Sequence, residues 1–361
     1  VREAKFSIMD QNLSPKQTMA VLKKALMASK ERFEREGVNL SAYNNVETAA
    51  DIALIMEKLG YEKYNMVGSS AGTMVAHHVI RDYPDRVRCG ILDAGLPLDP
   101  SIMYNYVPSI VNSLKNYFEE CRNTPDCNEA FPNLEERFLK LLESLNQDPV
   151  MLDLKDPLSG KEFLYALNGY RLAENIFFQM FYSTQIPLLI NQLVNGDYST
   201  IINQLNYSLV PNYFADGLGL TVFITETGSY SLSDIEYDPA YKIFNAGVSI
   251  SGMGGEYFLE VNKVWNLKKL DPERVRYPKP GDVPVMVLNG IYDPVIPVKY
   301  DAVMKQDLNN CYIYRFDGVP HSAFDNATPC ALPMFLQFLV DPTNAPDSSC
   351  LENYKQVYQV Q

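Results

Sequence analysis

The stretch Gly68-Ser69-Ser70-Ala71-Gly72 constrains this chain more than any other. It follows a short apolar run, Tyr64-Asn65-Met66-Val67, and precedes a helix-like run from Thr73 to Asp82. Strand, G-x-S-x-G, helix is the order that holds a serine on a tight, strained turn. Such a turn brings two backbones together, so both flanking glycines are expected to leave room where a side chain would clash. Ser70 then projects its hydroxyl beyond the end of the strand. The backbone N–H of Ala71, at the start of the helix, can face a developing oxyanion. Ser69 sits one position off the centre. The plain alternative, an ordinary tight turn, is disfavoured by the strand and helix on either side.

The chain has 361 residues, of which 47% are hydrophobic, enough for a core domain with an insertion. It contains no apolar run of about 18 residues, so no membrane span is expected. Lys and Arg number 31 against 44 Asp and Glu, a net charge of −13. That balance disfavours nucleic acid and anionic membranes as partners and suits a small-molecule or peptide substrate. The cysteines form no C-x-x-C pair and no Cys/His cluster, so neither a metal nor another cofactor is expected. Cys121 and Cys127 flank a turn-rich stretch and could close a small disulfide loop. Cys330 and Cys350 bracket a helix and an Asp/Pro-rich tail and could also pair. Cys89 and Cys311 open strand-like runs and read as buried thiols. Two local pairs imply an oxidising compartment, hence a secreted or periplasmic protein.

Taken in order, residues 16–36 read as a helix, with Met19, Leu22, Leu26 and Phe33 at near-helical spacing. Residues 46–59 form a second helix, whose Ile52, Ile55, Met56 and Leu59 share a face and whose C-cap is Gly60. Arg88 to Leu92 is a strand of continuous apolar type, as expected when both faces are buried. From about residue 101 amphipathic helices and tyrosines dominate. Asn133 is expected to cap the helix from Leu134, with Glu136 completing a capping box. Segments 162–182 and 185–206 also read as helical. Strand patterns return at Val283 to Asn289 and at Cys311 to Phe316. The expected organisation is an α/β core in two parts, 1–100 and 255–361, interrupted by a mostly helical insertion over 101–254.

A serine on such a turn needs a base, and the base needs an orienting acid. The chain has three histidines. His77 and His78 lie on the helix that starts at the turn, about 10 Å along its axis from Ser70, and read as packed or surface residues. His321 follows the last strand, in Phe316-Asp317-Gly318-Val319-Pro320-His321. The order Ser, acid, His places the base there. Asp293, after the strand from Val283, is the favoured acid. Asp93, at the end of the earlier strand, is the rival, and Asp317 is a third possibility close in sequence to His321. The chemistry would be acyl transfer: His321 takes the Ser70 proton, an acyl-enzyme forms, and water activated by His321 releases it.

Together these features resemble the tripeptidyl-aminopeptidase-like and prolyl-aminopeptidase-like α/β-hydrolases, serine exopeptidases with a helical lid. The matching stretches are GVNLSAYNNVETAADI, YNMVGSSAGT, PVMVLNGIYDPVIP, GVPHSAF and PCALPMFLQFLVDP with the later DSSC. They span both core segments; the lid matches weakly. The resemblance implies an α/β-hydrolase fold with Ser70, Asp293 and His321 as catalytic residues, and a Cys330–Cys350 disulfide. LTVFITETG resembles a lid-border motif in which the family commonly carries Cys-x-Glu, where this chain has Ile224 or Thr225. Glu226 would then bind the substrate α-ammonium.

The family also carries several strands and an H-G-G-P-G-type loop upstream of the elbow; the loop donates the second oxyanion N–H. This chain has neither before Ser70. One such donor is worth roughly 2.7–4 kcal/mol, and an elbow strand without upstream neighbours leaves a long apolar edge. A separate N-terminal polypeptide of the same precursor is therefore expected to complete the sheet and the oxyanion hole. The expected function is cleavage of short peptides from the N-terminal end. The alternatives are an esterase acting on small apolar esters and a non-catalytic binding module on the same fold.

Overall fold

The computed structural model describes residues 1–99, 102–156, 159–208, 221–226, 238–252, 254–275 and 281–360. The chain opens with helices α1 (Arg2–Phe6), α2 (Pro15–Arg35) and α3 (Asn45–Lys58). Strand β1 (Tyr64–Ser69), helix α4 (Ala71–Asp82) and strand β2 (Val87–Asp93) follow. Next come α5 (Ile102–Asn123), α6 (Pro125–Ala130), α7 (Leu134–Gln147), β3 (Val150–Lys155) and β4 (Glu162–Leu167). Helices α8 (Gly169–Gln179), α9 (Ile186–Val194), α10 (Ser199–Ser208), α11 (Thr221–Glu226), α12 (Lys242–Ile250) and α13 (Gly255–Trp265) precede β5 (Val285–Gly290). The chain ends with α14 (Tyr300–Asp307), β6 (Cys311–Phe316), α15 (Ala323–Asn326) and α16 (Thr328–Val340).

Four strands form a parallel sheet in the order β1-β2-β5-β6. Continuous apolar runs make β2 and β5 the buried centre, as both faces need cover in a parallel sheet. Val285 and Val287 face the cluster that includes Ala76, Val79 and Ile80 of α4. Met286 and Leu288 face the opposite cluster, with Met334 and Phe338 of α16. The register pairs Ser69 with Asp93, Asp93 with Leu288, and Gly290 with Phe316. Hence the loops after β1, β2, β5 and β6 leave the same edge of the sheet.

Among the described residues β1 pairs with β2 alone, so the elbow strand is an edge strand, with Val67 50% exposed. The face expected on α3 is divided. Ala49, Ile52 and Met56 pack toward the sheet, whereas Leu54, Ile55 and Leu59 are more than half exposed. Gly60, at φ 81°, ends this helix as expected.

The insertion differs from its sequence pattern in two places. Residues 162–182 do not form one helix: β4 pairs antiparallel with β3, from Val150 opposite Leu167 to Lys155 opposite Glu162. In β3, Leu152 and Leu154 point inward while Met151, Asp153 and Lys155 are exposed, the period of a half-buried strand. The stretch 185–206 is two helices, broken at Gly196 with φ 86°. Asn133 stands at the N-cap position but adopts the left-handed conformation (φ 53°), and its side chain caps nothing. Glu136 bonds Lys140 instead, at 2.6 Å, so the capping box does not form.

Helix α2 buries its apolar stripe among the helices of the insertion rather than on the sheet, and α13 joins the same cluster. The Trp265 indole N–H donates to the Leu26 carbonyl at 3.1 Å, and Lys30 donates to the Val264 carbonyl. The carboxyl-terminal tail straps the assembly. The Gln356 side chain donates to the Thr184 carbonyl, and Gln185 bonds the backbone at Val357 and Gln359. Glu120 of α5 accepts the hydroxyls of Tyr358 and of Tyr292, the neighbour of Asp293. Disulfides join Cys121 to Cys127 and Cys330 to Cys350. Cys89 is buried, and Cys311 is part-buried with its thiol pushed up to about 12 by burial and the nearby Asp301. Among the described residues no helix is long and apolar enough to cross a membrane.

Candidate active site

Ser70 occupies the corner between β1 and α4 with φ 52° and ψ −123°, a conformation costly for a residue with a Cβ. Its strain is held from several sides. The Ser70 N–H donates to the Asp93 carbonyl at 2.9 Å. The Ser70 carbonyl accepts both the Thr73 N–H and the Thr73 hydroxyl, the latter at 2.6 Å. Thr73 Oγ1 in turn accepts the Leu96 N–H, tying α4 to the loop after β2. Ala71 begins the helix, where first-turn N–H groups lack intrahelical acceptors and can serve an anion.

The two elbow glycines are not equivalent. A Cβ on Gly68 would stand 2.5 Å from the Gly72 carbonyl oxygen and 2.9 Å from the Thr73 nitrogen. A Cβ on Gly72 would meet nothing within 4 Å. The expectation that both glycines relieve a clash therefore holds for Gly68 alone.

Of the three acids, Asp293 takes the imidazole. His321 Nδ1 and Asp293 Oδ2 lie 2.7 Å apart, and Asp293 Oδ1 accepts the N–H groups of Val295 and Ile296, each at 2.9 Å. Both carboxylate oxygens are thus engaged, and the side chain is 1% exposed. Gly290 permits this approach, because a Cβ there would fall 1.9 Å from the Pro320 carbonyl oxygen.

Asp93 does different work. Its carboxylate accepts the Ser322 hydroxyl at 2.5 Å, the Ala323 N–H at 2.7 Å and the Phe324 N–H at 3.3 Å. One residue therefore holds the Ser70 backbone through its carbonyl and the His321 loop through its side chain. Positive φ occurs at five non-glycine residues among those described, and three of them are Ser70, Ala94 and Ser322, all bonded or adjacent to Asp93. Such strain persists where the surroundings over-determine it, commonly at functional sites. The Ser70 hydroxyl is not bonded to His321 here; in unliganded sites that bond commonly tightens only with substrate.

Two side chains stand where the sequence pattern did not put them. Phe181, just past α8, meets the His321 ring edge-to-face with centroids 4.9 Å apart. Its only sequence signal was an apolar run, Ile176-Phe177-Phe178, ending near it. Glu226 is 3% exposed and bonds His78 Nε2 at 3.0 Å. His78 is eight residues along α4 from Ser70, about 12 Å on the helix axis, and the other Glu226 oxygen, Oε2, is buried without a hydrogen-bond partner. His77 and His78 are both fully buried, and burial, with His78 and Arg81 beside it, holds His77 down at about 3.

A family model for the α/β-hydrolase fold matches residues 28–328. Solved structures similar to the chain include a variant meta-cleavage product hydrolase, at 13% identity over 82% of this chain and 72% of the other, with TM-score 0.39. A variant epoxide hydrolase from Bacillus megaterium matches at 14% identity, over 84% and 78%, with TM-score 0.35. An esterase from Exiguobacterium antarcticum matches at 12% identity, over 84% and 76%, with TM-score 0.33. No curated protein matches the chain.

Two outcomes are expected from this geometry. Gly68→Ala pushes the elbow apart, costing about 1–3 kcal/mol and abolishing reactivity of Ser70, whereas Gly72→Ala leaves both intact; thermal melts with reporter-ester hydrolysis decide, and equal behaviour of the two variants contradicts it. The second concerns pH. Burial pulls His321 down, but Asp293, Asp93 and Asp325 together hold it above its ordinary 6.5. If His321 serves as a base it must be neutral, so kcat/KM should rise with pH through a midpoint above 6.5, and Asp293→Asn should lower that midpoint. The imidazolium's stabilisation of the fold runs the other way, complete below the unfolded value and lost as pH rises through the folded one. A wild-type limb at or below 6.5 contradicts this.

The match over most of the length, with the parallel sheet and the strained Ser70 corner, places this chain in the α/β-hydrolase fold family.

Proposed function

We infer that the protein is a serine hydrolase in which Ser70 is the nucleophile, His321 the general base and Asp293 its orienting acid. The observation that carries this is the Asp93 fastening, which holds the Ser70 corner and the His321 loop at one strand end while Asp293 meets His321 Nδ1 at 2.7 Å. His321 would remove the Ser70 proton as Ser70 attacks a carbonyl carbon. The Ala71 N–H would stabilise the oxyanion, His321 would protonate the leaving group, and water would then release the acyl group by the same route. No cofactor enters this sequence.

For the substrate, the reading is an exopeptidase that cleaves short peptides from the N-terminal end; the tripeptidyl- and prolyl-aminopeptidase-like motifs around Ser70, Asp293 and His321 support it. One observation favours an esterase of small apolar esters instead. The wall beside His321 is aromatic. A panel of free and N-blocked aminoacyl and tripeptidyl amides beside p-nitrophenyl esters separates the two, with Ser70→Ala as control. Cleavage that requires a free amine is the expected result. Turnover of esters alone replaces the peptidase reading with the esterase, and no turnover of any reporter contradicts both.

A separate polypeptide of the same precursor pairing with the outer side of β1 belongs to this reading. It would cover Val67 and the outer apolar residues of α3 and supply the second oxyanion donor. Hydrogen exchange tests it: the outward amides of residues 64–69 should exchange fast in this chain alone and slowly with the second polypeptide present. Slow exchange in the chain alone contradicts it.

A further inference from the structure

Helix α5 carries a tyrosine whose position has no structural explanation. The Tyr106 hydroxyl is buried and has no hydrogen-bond partner. Buried polar groups are almost always satisfied, so an orphan of this kind calls for an account. Its surroundings supply one. The Tyr106 ring meets Phe177 edge-to-face at 6.3 Å, Phe177 meets Phe181 at 5.1 Å, and Phe181 meets His321 at 4.9 Å. These four side chains form one continuous wall that ends on the general base. The Asp293 charge reaches Tyr106 and, after burial, is the second influence keeping its hydroxyl protonated. The hydroxyl is therefore a neutral donor, set in an apolar aromatic wall beside the candidate active site.

We propose that Tyr106 is a substrate-binding residue whose hydroxyl donates a hydrogen bond to an acceptor oxygen on the acyl part of the substrate held at Ser70. This rests on the serine-hydrolase reading above. The chemistry selects substrates with a carbonyl or ether oxygen at that place, because an apolar group there would leave the donor unpaired. Tyr117 offers an internal comparison. It lies eleven residues further along α5 and also has a buried, unpartnered hydroxyl. Its ring packs on Tyr292 at 5.3 Å, on the strapped side of the acid loop, and no ring contact links it to His321.

The test is Tyr106→Phe, read by thermal melting and by steady-state hydrolysis of p-nitrophenyl methoxyacetate, whose acyl chain carries an ether oxygen, beside Tyr117→Phe. Tyr106→Phe should melt at or above the wild-type temperature, since the hydroxyl removed has no partner in the fold. Its KM should rise and its kcat/KM fall about 10-fold, the usual effect of one lost uncharged hydrogen bond. Tyr117→Phe should keep kcat/KM within about twofold of the wild type on the same reasoning. Equal kcat/KM for Tyr106→Phe and the wild type overturns the proposal. A large fall in its melting temperature does so too, by showing a bond inside the fold, as does an equal loss in both variants. Failure of the underlying reading shows separately, as wild-type hydrolysis that survives Ser70→Ala.

Discussion

A buried carboxylate holds the site together. Asp93 ends a strand buried on both faces, where an unpaired charge would be expensive, and its side chain meets the cost by accepting three hydrogen bonds from the loop that follows His321. Its backbone carbonyl simultaneously takes the Ser70 N–H. Two loops separated by about 250 residues are thus fixed to one residue. The positive-φ residues Ser70, Ala94 and Ser322 surround that point, so the strain of the corner is met by the bonds beside it. The parallel register does the rest by bringing the four loop origins to one edge.

The insertion is bound to that edge through aromatic and acidic contacts rather than through the sheet. Phe181 leans on His321 from above, and Glu120 joins the acid loop at Tyr292 to the tail at Tyr358. The tail then continues onto Thr184 and Gln185, just beyond Phe181. Movement of the insertion relative to the sheet would therefore pull on both His321 and the segment next to Asp293. The amino-terminal helices share this arrangement, because α2 packs with the insertion.

Much of this was legible in the residues. Continuous apolar runs marked β2 and β5 because both faces of a parallel strand are buried. The G-x-S-x-G spacing and the order Ser, acid, His pointed to Ser70, Asp293 and His321, and Gly60 marked the end of α3. What was not legible depends on distant neighbours. The β3–β4 hairpin alternates correctly but sits in a helix-rich stretch that masks its period. Asn133 forgoes capping because Glu136 finds Lys140 and the chain enters the helix through a left-handed turn. Periodicity put Ile55 and Leu59 on a buried face of α3, but a helix covers only as much sheet as lies beside it, and among the described residues β1 is the last strand. Spacing could not separate Asp93 from Asp293, since both end strands on one edge; only the three donors from 322–324 show which is the fastener.

The central claim is that this strand-end geometry activates Ser70 above every other serine in the chain. Labelling with a small fluorophosphonate, followed by peptide mass spectrometry, measures that directly, with Ser70→Ala and Asp293→Asn as companions. The account predicts one adduct, on Ser70, absent from Ser70→Ala and formed far more slowly in Asp293→Asn. No adduct on Ser70 in chain whose Cys121–Cys127 and Cys330–Cys350 disulfides are formed, or an adduct rate indifferent to Asp293, would contradict it.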